Sequence, residues 1–238
     1  MSIDTMSSTG IATAAVVSEK APGRRVSPLS IWQTIGPVVV CLLLFSVVLI
    51  SNRSFLGGGG PGILALQATF ILLVALGQST VLNIGSIDLS NAAMAVLSAM
   101  ILAMTIGGLG PIALVLCVVV ATLIGAINGF LIAYTQVPSF ALTLGTLGIL
   151  QAASLVISNA TTVYATGNTD ILMPLFGSFY FKLPLAFWIA VALAVILWAV
   201  LRFTRIGTSM KAVGLNETGA IFSGIGNRGV KILSLIHI

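Results

Sequence analysis

Charge is what this sequence has least of. Only 6% of its 238 residues are Asp, Glu, Lys or Arg, where a soluble domain carries roughly a quarter, so the chain cannot dress a water-facing surface along its length. Between Arg53 and Asp170 the single charge is Asp88. Acids are fewer than bases, five against ten, and the bases gather in two groups, which reads as membrane orientation and not as a nucleic-acid footprint. Histidine occurs once, as His237, close to the last residue. It is a poor candidate for any site, and no His/Glu metal pair or Ser/His pair falls at membrane depth. Cysteine is also scarce: Cys41 and Cys117 both lie inside apolar runs, where a small buried thiol is the simpler reading than a disulfide. There is no Gly-rich phosphate loop ending in Lys-Ser/Thr. The residues before Trp32 lack an apolar core followed by a small-residue cleavage site, which argues against a removed signal peptide.

Apolar residues fill the space left by charge. They make up 58% of the chain, and the mean hydropathy is +1.17. Six stretches approach the roughly 20 residues needed to cross a bilayer: 31–50, 63–82, 92–106, 112–133, a fifth from about 139 to 157, and 185–201. The third is short for a full crossing. Between the first two lies a charged, glycine-rich turn, and 158–184 is a polar loop holding Asn159, Asn168, Asp170 and Lys182. Lys20, Arg24 and Arg25 precede the first stretch, while Arg202, Arg205, Lys211, Arg228 and Lys231 follow the sixth. An even number of crossings puts both groups on one face, which the distribution of Lys and Arg makes cytoplasmic. The expectation is an all-α, polytopic transmembrane helix bundle with about six spans and a cytoplasmic N-terminus. Its divisions are a polar tail (1–30), the bundle (31–201), a cytoplasmic loop (202–231), and 232–238 as the start of a truncated helix or a non-native tail.

Three places depart from apolar monotony. Gly125 and Gly129 share one side of a helix and admit a second backbone, either as plain helix packing or as the lining of a path. Asp88 is costly at membrane depth and must face protein or a water-filled cavity. With Ser90 and Asn91 it offers N-cap chemistry for the run that begins at Ala92, and the break at Gly85 suits a discontinuous helix. The alternative role is to accept hydrogen bonds from substrate hydroxyls, with Ser90, Asn91 and Asn128 as companions. Third, 202–231 reads as a compact element with a short helix. Asn216 caps it, Glu217 suits its positive end, and Gly224 ends it in a left-handed conformation. Ala220, Ile221 and Phe222 give that helix an apolar knob, which serves either a docking partner or a loop lying on lipid headgroups.

Three separated segments resemble the ribose/xylose-type sugar permeases of ATP-binding cassette importers. Ile87-Asp88-Leu89-Ser90 is similar to that family's Gly-Gly-Ile-Asp-Leu-Ser signature. Asn128 to Ala133, Val137 to Phe140 and Thr143 to Thr146 are similar to its "NGLLIA…VPPFIATLGT" block. Ala212 to Glu217, Ser223 to Ile225 and Val230 to Leu233 are similar to its coupling loop. Asn83 to Ser86 replaces the usual Thr-Gly-Gly lead-in, and Thr218-Gly219 stands where Glu-Ala is common.

The resemblance implies an inner-membrane permease subunit of a bacterium, without its own ATPase site, catalytic residues, metal or cofactor. Its implied partners are an ATP-binding cassette subunit that binds the ATP, a periplasmic sugar-binding protein, a second permease subunit as a homodimer, and membrane lipid, with no nucleic acid. The coupling residues it marks are Gly214, Asn216, Glu217, Ala220, Phe222, Ser223 and Gly224, and Asp88-Leu89-Ser90 favours a carbohydrate over an amino acid or nucleoside. An ion-coupled secondary transporter is the alternative from another class, weakened by the single intramembrane acid. Family members continue for several more helices, so the sequence leads to the expectation of a chain cut short.

Overall fold

A computed structural model describes residues 28–57 and 59–236. The chain forms two units, one through Arg53 and one from Ser54. In the first, α1 (Pro28–Ser51) contains Pro37, and its apolar stretch Ile35–Ser51 is shorter than a full crossing. The tail expected at 1–30 lies, apart from its last three residues, outside the described residues.

The second unit holds five helices long and apolar enough to cross a membrane: α2 (Gly60–Asn83), α3 (Asn91–Leu109), α4 (Ile112–Thr135), α5 (Ser139–Ile157) and α7 (Leu185–Phe203). Their ends follow the sequence's punctuation. α2 opens after Gly59, at φ 80, with Pro61 in its first turn, where the missing N–H costs nothing. α3 stops at Gly110, at φ 55, and Pro111 starts the next helix. Gln136, at φ 56, and Pro138 separate α4 from α5. Between α5 and α7 the chain forms a short α6 (Met173–Gly177) and a hairpin of β1 (Phe179–Tyr180) with β2 (Leu183–Pro184). Trp188 Nε1 donates to Tyr180 O at 3.1 Å and ties the hairpin to α7. The fold is an all-α polytopic membrane bundle.

After α7 come α8 (Arg205–Leu215), α9 (Glu217–Phe222) and α10 (Asn227–Ile236). Residues 232–236 form the second half of α10, and Ser234 and Leu235 are buried. The reason lies on α4. A Cβ added at Gly129 would meet Ile232 Cα at 2.8 Å, and one added at Gly125 would overlap Leu235 O. The two glycines thus form a seam where the α10 backbone lies against α4, which is the packing reading of that pair. Thr80 Oγ1 donates to Ser234 O at 3.1 Å, and Val81, Ile132 and Leu235 close a small core with Leu142. A second core joins Ala93, Met94, Leu97 and Leu150.

Candidate functional site

The connection between α2 and α3 folds back into the bundle. α2 ends in a Schellman motif: Ser86 N–H donates to Val81 O and Gly85 N–H to Leu82 O, with Gly85 at φ 72, a conformation that favours glycine. Residues 86–90 then climb beside α5. Ile87 N–H donates to Ser139 Oγ at 3.1 Å and Leu89 N–H to Thr143 Oγ1 at 3.0 Å. Alternate residues of an extended chain advance about 6.6 Å, and residues four apart on a helix about 6 Å, so two hydroxyls on one face of α5 match two amides of the strap. By the time the chain reaches Asn91 it lies level with Val74, whose carbonyl accepts from Asn91 Nδ2 at 2.9 Å. Val74 is nine residues before the end of α2, about 13 Å back along its axis. The third stretch is not short: α3 continues past Ile106 through Gly107 and Gly108 to Leu109 and is long enough to cross.

Asp88 is carried by this strap and is 4% exposed. Its Oδ1 accepts from Ser90 N–H at 2.7 Å and from the Ser90 hydroxyl at 2.6 Å, an Asx turn. The N-cap of α3 is Ser90, with no side-chain capping bond, so Asp88 holds the turn before the helix. From Ser90 the network passes to Asn128 Nδ2 at 3.3 Å, and Asn128 Oδ1 accepts from Thr146 Oγ1 at 2.8 Å. Asp88, Ser90 and Asn128 are therefore brought together, whereas the Asn91 amide turns away to α2. Asp88 Oδ2 is buried without a hydrogen-bond partner among the described residues. Ser139, Thr143 and Thr146 are the members that sequence reasoning did not single out as site residues. Their signal was present as hydroxyls at i, i+4 and i+7 on one helical face.

The α8–α9 element lies against the base of this strap. A Cβ on Gly214 would overlap Asn83 O and come within 3.2 Å of Gly85 N, so α8 meets the end of α2 backbone to backbone. In α9, Asn216 Oδ1 accepts from Gly219 N–H at 2.9 Å as a side-chain N-cap. The helix ends in a second Schellman motif, Ile225 N–H to Ala220 O and Gly224 N–H to Ile221 O, with Gly224 at φ 78. Ala220 is turned inward at 4% exposure, while Leu215 and Phe222 are 88% and 87% exposed. The inward placement of Ala220 narrows the apolar knob to Ile221 and Phe222, extended by Leu215. Ser223 spends its hydroxyl on Gly219 O at 2.9 Å. Glu217 Oε1 takes 2.6 Å contacts from Lys231 Nζ and Asn227 Nδ2, both on α10. The hydrogen bond from Lys231, aided by Asn227, holds the Glu217 carboxyl below the ordinary glutamate range. Arg228 lies 4.9 Å over the Tyr134 ring and fixes α10 to the end of α4, a cation–π contact. A cavity of about 650 Å³ separates α9 from the strap, with Ser86, Gln136, Ser139, Thr218, Asn227 and Lys231 on its walls.

Among the described residues there is no cluster of three His, Cys, Asp or Glu side chains that would hold a metal. The arrangement is a buried polar network around one acidic side chain, joined through backbone contact to a projecting, apolar-tipped helix.

Comparison with known proteins places this geometry. A family model described as "Branched-chain amino acid transport system / permease component" matches residues 61–237, and the chain belongs to that family. Curated relatives include the D-allose transport system permease protein of Escherichia coli strain K12, 29% identical over 217 residues and 90% of this chain. The ribose import permease protein of Bacillus subtilis is 32% identical over 206 residues, 85% of this chain. The galactofuranose transporter permease protein of E. coli is 30% identical over 226 residues, 86% of this chain. The match covers 66%, 64% and 63% of those three proteins, so the chain spans about two thirds of their length. No solved structure matches it. The protein is a multi-pass membrane member of that permease family.

Proposed function

We propose that this chain is the membrane-spanning subunit of an importer that admits a monosaccharide to a bacterial cell across the inner membrane. It hydrolyses nothing itself and draws on an ATP-hydrolysing subunit, a periplasmic sugar-binding protein and a second permease copy, with the N-terminus and the α8–α9 element in the cytoplasm. The names of the relatives support a sugar. The orphaned Asp88 oxygen beside Ser90 and Asn128 supports it too, because a carboxylate at membrane depth suits a neutral cargo that donates hydroxyl hydrogen bonds. The description of the family model favours a branched-chain amino acid as the second reading.

The observation that carries the proposal is α9. It is capped at both ends and pinned to α10 by Glu217, and α8 just before it meets the base of the Asp88 strap at Gly214, yet Phe222 and the neighbouring Leu215 of α8 point outward. Large apolar side chains held on a rigid, water-facing element mark a docking surface. Co-purification of the chain with the ATP-hydrolysing subunit encoded beside its gene tests this. Phe222→Ala is expected to lower retention of that subunit at least tenfold, while Phe181→Ala, equally exposed on the other side of the bundle, leaves it unchanged. Retention unaffected by Phe222→Ala, or no retention by the native chain, sinks the proposal.

A further inference from the structure

Gln151 is a polar side chain in the middle of an apolar helix. It stands twelve residues into α5, about 18 Å along its axis, well within a hydrocarbon core of about 30 Å. It is exposed, and among the described residues its amide has no hydrogen bond. An amide facing lipid forfeits its hydrogen bonds outright, so such a group faces protein or water. The space in front of Gln151 is a groove of about 460 Å³ between α3 and α5, walled by Ala92, Val96 and Met100 on one side and Leu147 and Leu155 on the other. Ser154 also borders it, but its hydroxyl is spent on Leu150 O at 2.8 Å.

Ala92, at one end of the groove, follows Ser90 and Asn91 in the chain, though no side chain of the polar network lines it. Its size falls in the range of small-molecule sites, which combine apolar walls with a few placed polar groups. A glutamine amide both donates and accepts, as a sugar hydroxyl does, and flat apolar walls suit the C–H faces of a sugar ring. Among the described residues no charged side chain lines the groove, so a zwitterionic amino acid would bring an ammonium and a carboxylate there without a counter-charge. We propose that the α3–α5 groove is a water-lined stretch of the translocation path, and that Gln151 is the residue that hydrogen-bonds a neutral, polyhydroxylated cargo as it passes. This deepens, and rests on, the importer reading.

The test is cysteine reactivity in the full chain, in native membranes, with Cys41→Ala and Cys117→Ala as background. Gln151→Cys is expected to react with a small water-soluble methanethiosulfonate at least tenfold faster than Ile149→Cys. Ile149 is 69% exposed and at nearly the same depth but lies outside the groove. D-ribose or D-allose at millimolar concentration should slow the reaction, and L-leucine should not. Leu155→Cys, in the same groove, serves as the second reporter should Gln151→Cys fail to insert. Equal, slow reaction at both positions places Gln151 in lipid and overturns the proposal. A spontaneous disulfide between two copies overturns it in favour of a helix interface. Reaction without protection by either sugar, or protection by leucine alone, overturns the cargo contact. None of these outcomes requires the ATP-hydrolysing partner, so failure here is separable from failure of the docking reading.

Discussion

The two oxygens of the Asp88 carboxylate are in different situations. Oδ1 closes a turn that sets the start of α3, and Oδ2 is buried with no donor among the described residues. Asparagine keeps an acceptor where Oδ1 stands and forms the same turn, so Asp88→Asn separates the two. It is expected to leave the amount and thermal stability of the subunit unchanged while lowering sugar uptake by the assembled importer about tenfold. Asp88→Ala strands the Ser90 N–H and hydroxyl, and should cost about 1–3 kcal/mol of stability, read as a lowered melting temperature of the purified subunit. Equal loss of protein level and uptake in Asp88→Asn would mean that the turn is the whole role. The polar interruption at Asp88 and Ser90 was legible in an apolar run, but that the two side chains pair was not. The inward climb of the strap was not, because it depends on hydroxyls more than fifty residues away on α5, whose facing only the folded register reveals.

Among elements, α9 was the most readable. Asn216, Gly224 and the acidic first turn are local signals, each fixed by backbone geometry within one or two turns, and the folded helix uses all three. Its attachment to α10 is non-local and was not read: Glu217 and Lys231 are fourteen residues apart and meet only after the Schellman turn reverses the chain. That attachment titrates. The Glu217 carboxyl is held low by Lys231, so its contribution is fully present above the ordinary glutamate range, near pH 4.3. It is lost as pH falls through the lowered folded value. A spin label at Thr218→Cys should report an immobile α9 at pH 7 and a mobile one only once the pH falls below the ordinary glutamate range. Adding Glu217→Gln should give a more mobile label at pH 7 and remove the pH dependence. The pair is partly solvent-exposed, so high salt should also loosen it. A label indifferent to pH in the native sequence would mean that the contact does not hold α9.

For the molecule as a whole, the charge pattern makes a directional statement. With 158–184 outside and 202–231 inside, an impermeant thiol reagent applied to intact cells should label Thr162→Cys and leave Thr218→Cys unreacted until the membrane is opened. The reverse pattern would overturn the orientation and, with it, access of α9 to a cytoplasmic ATPase. The boundaries of the five long helices were legible to within about three residues, because apolar composition and the glycine and proline breaks between the runs set them. The partnering of α4 with α10 was not, since two glycines four apart mark a close contact without naming what makes it.

That contact has a bearing on how the chain is made. Gly125 leaves the ribosome more than a hundred residues before Leu235, the residue that lies on it. At about 5–20 residues per second, the glycine face of α4 waits on the order of 5–20 s in the bilayer before its own partner exists. During that interval any helix with small residues is a competitor for it, from this chain, a sister chain or the insertion machinery. The seam is therefore a timing problem during synthesis as much as a packing solution afterwards, and a factor that shields bare glycine faces would act on this protein at that moment.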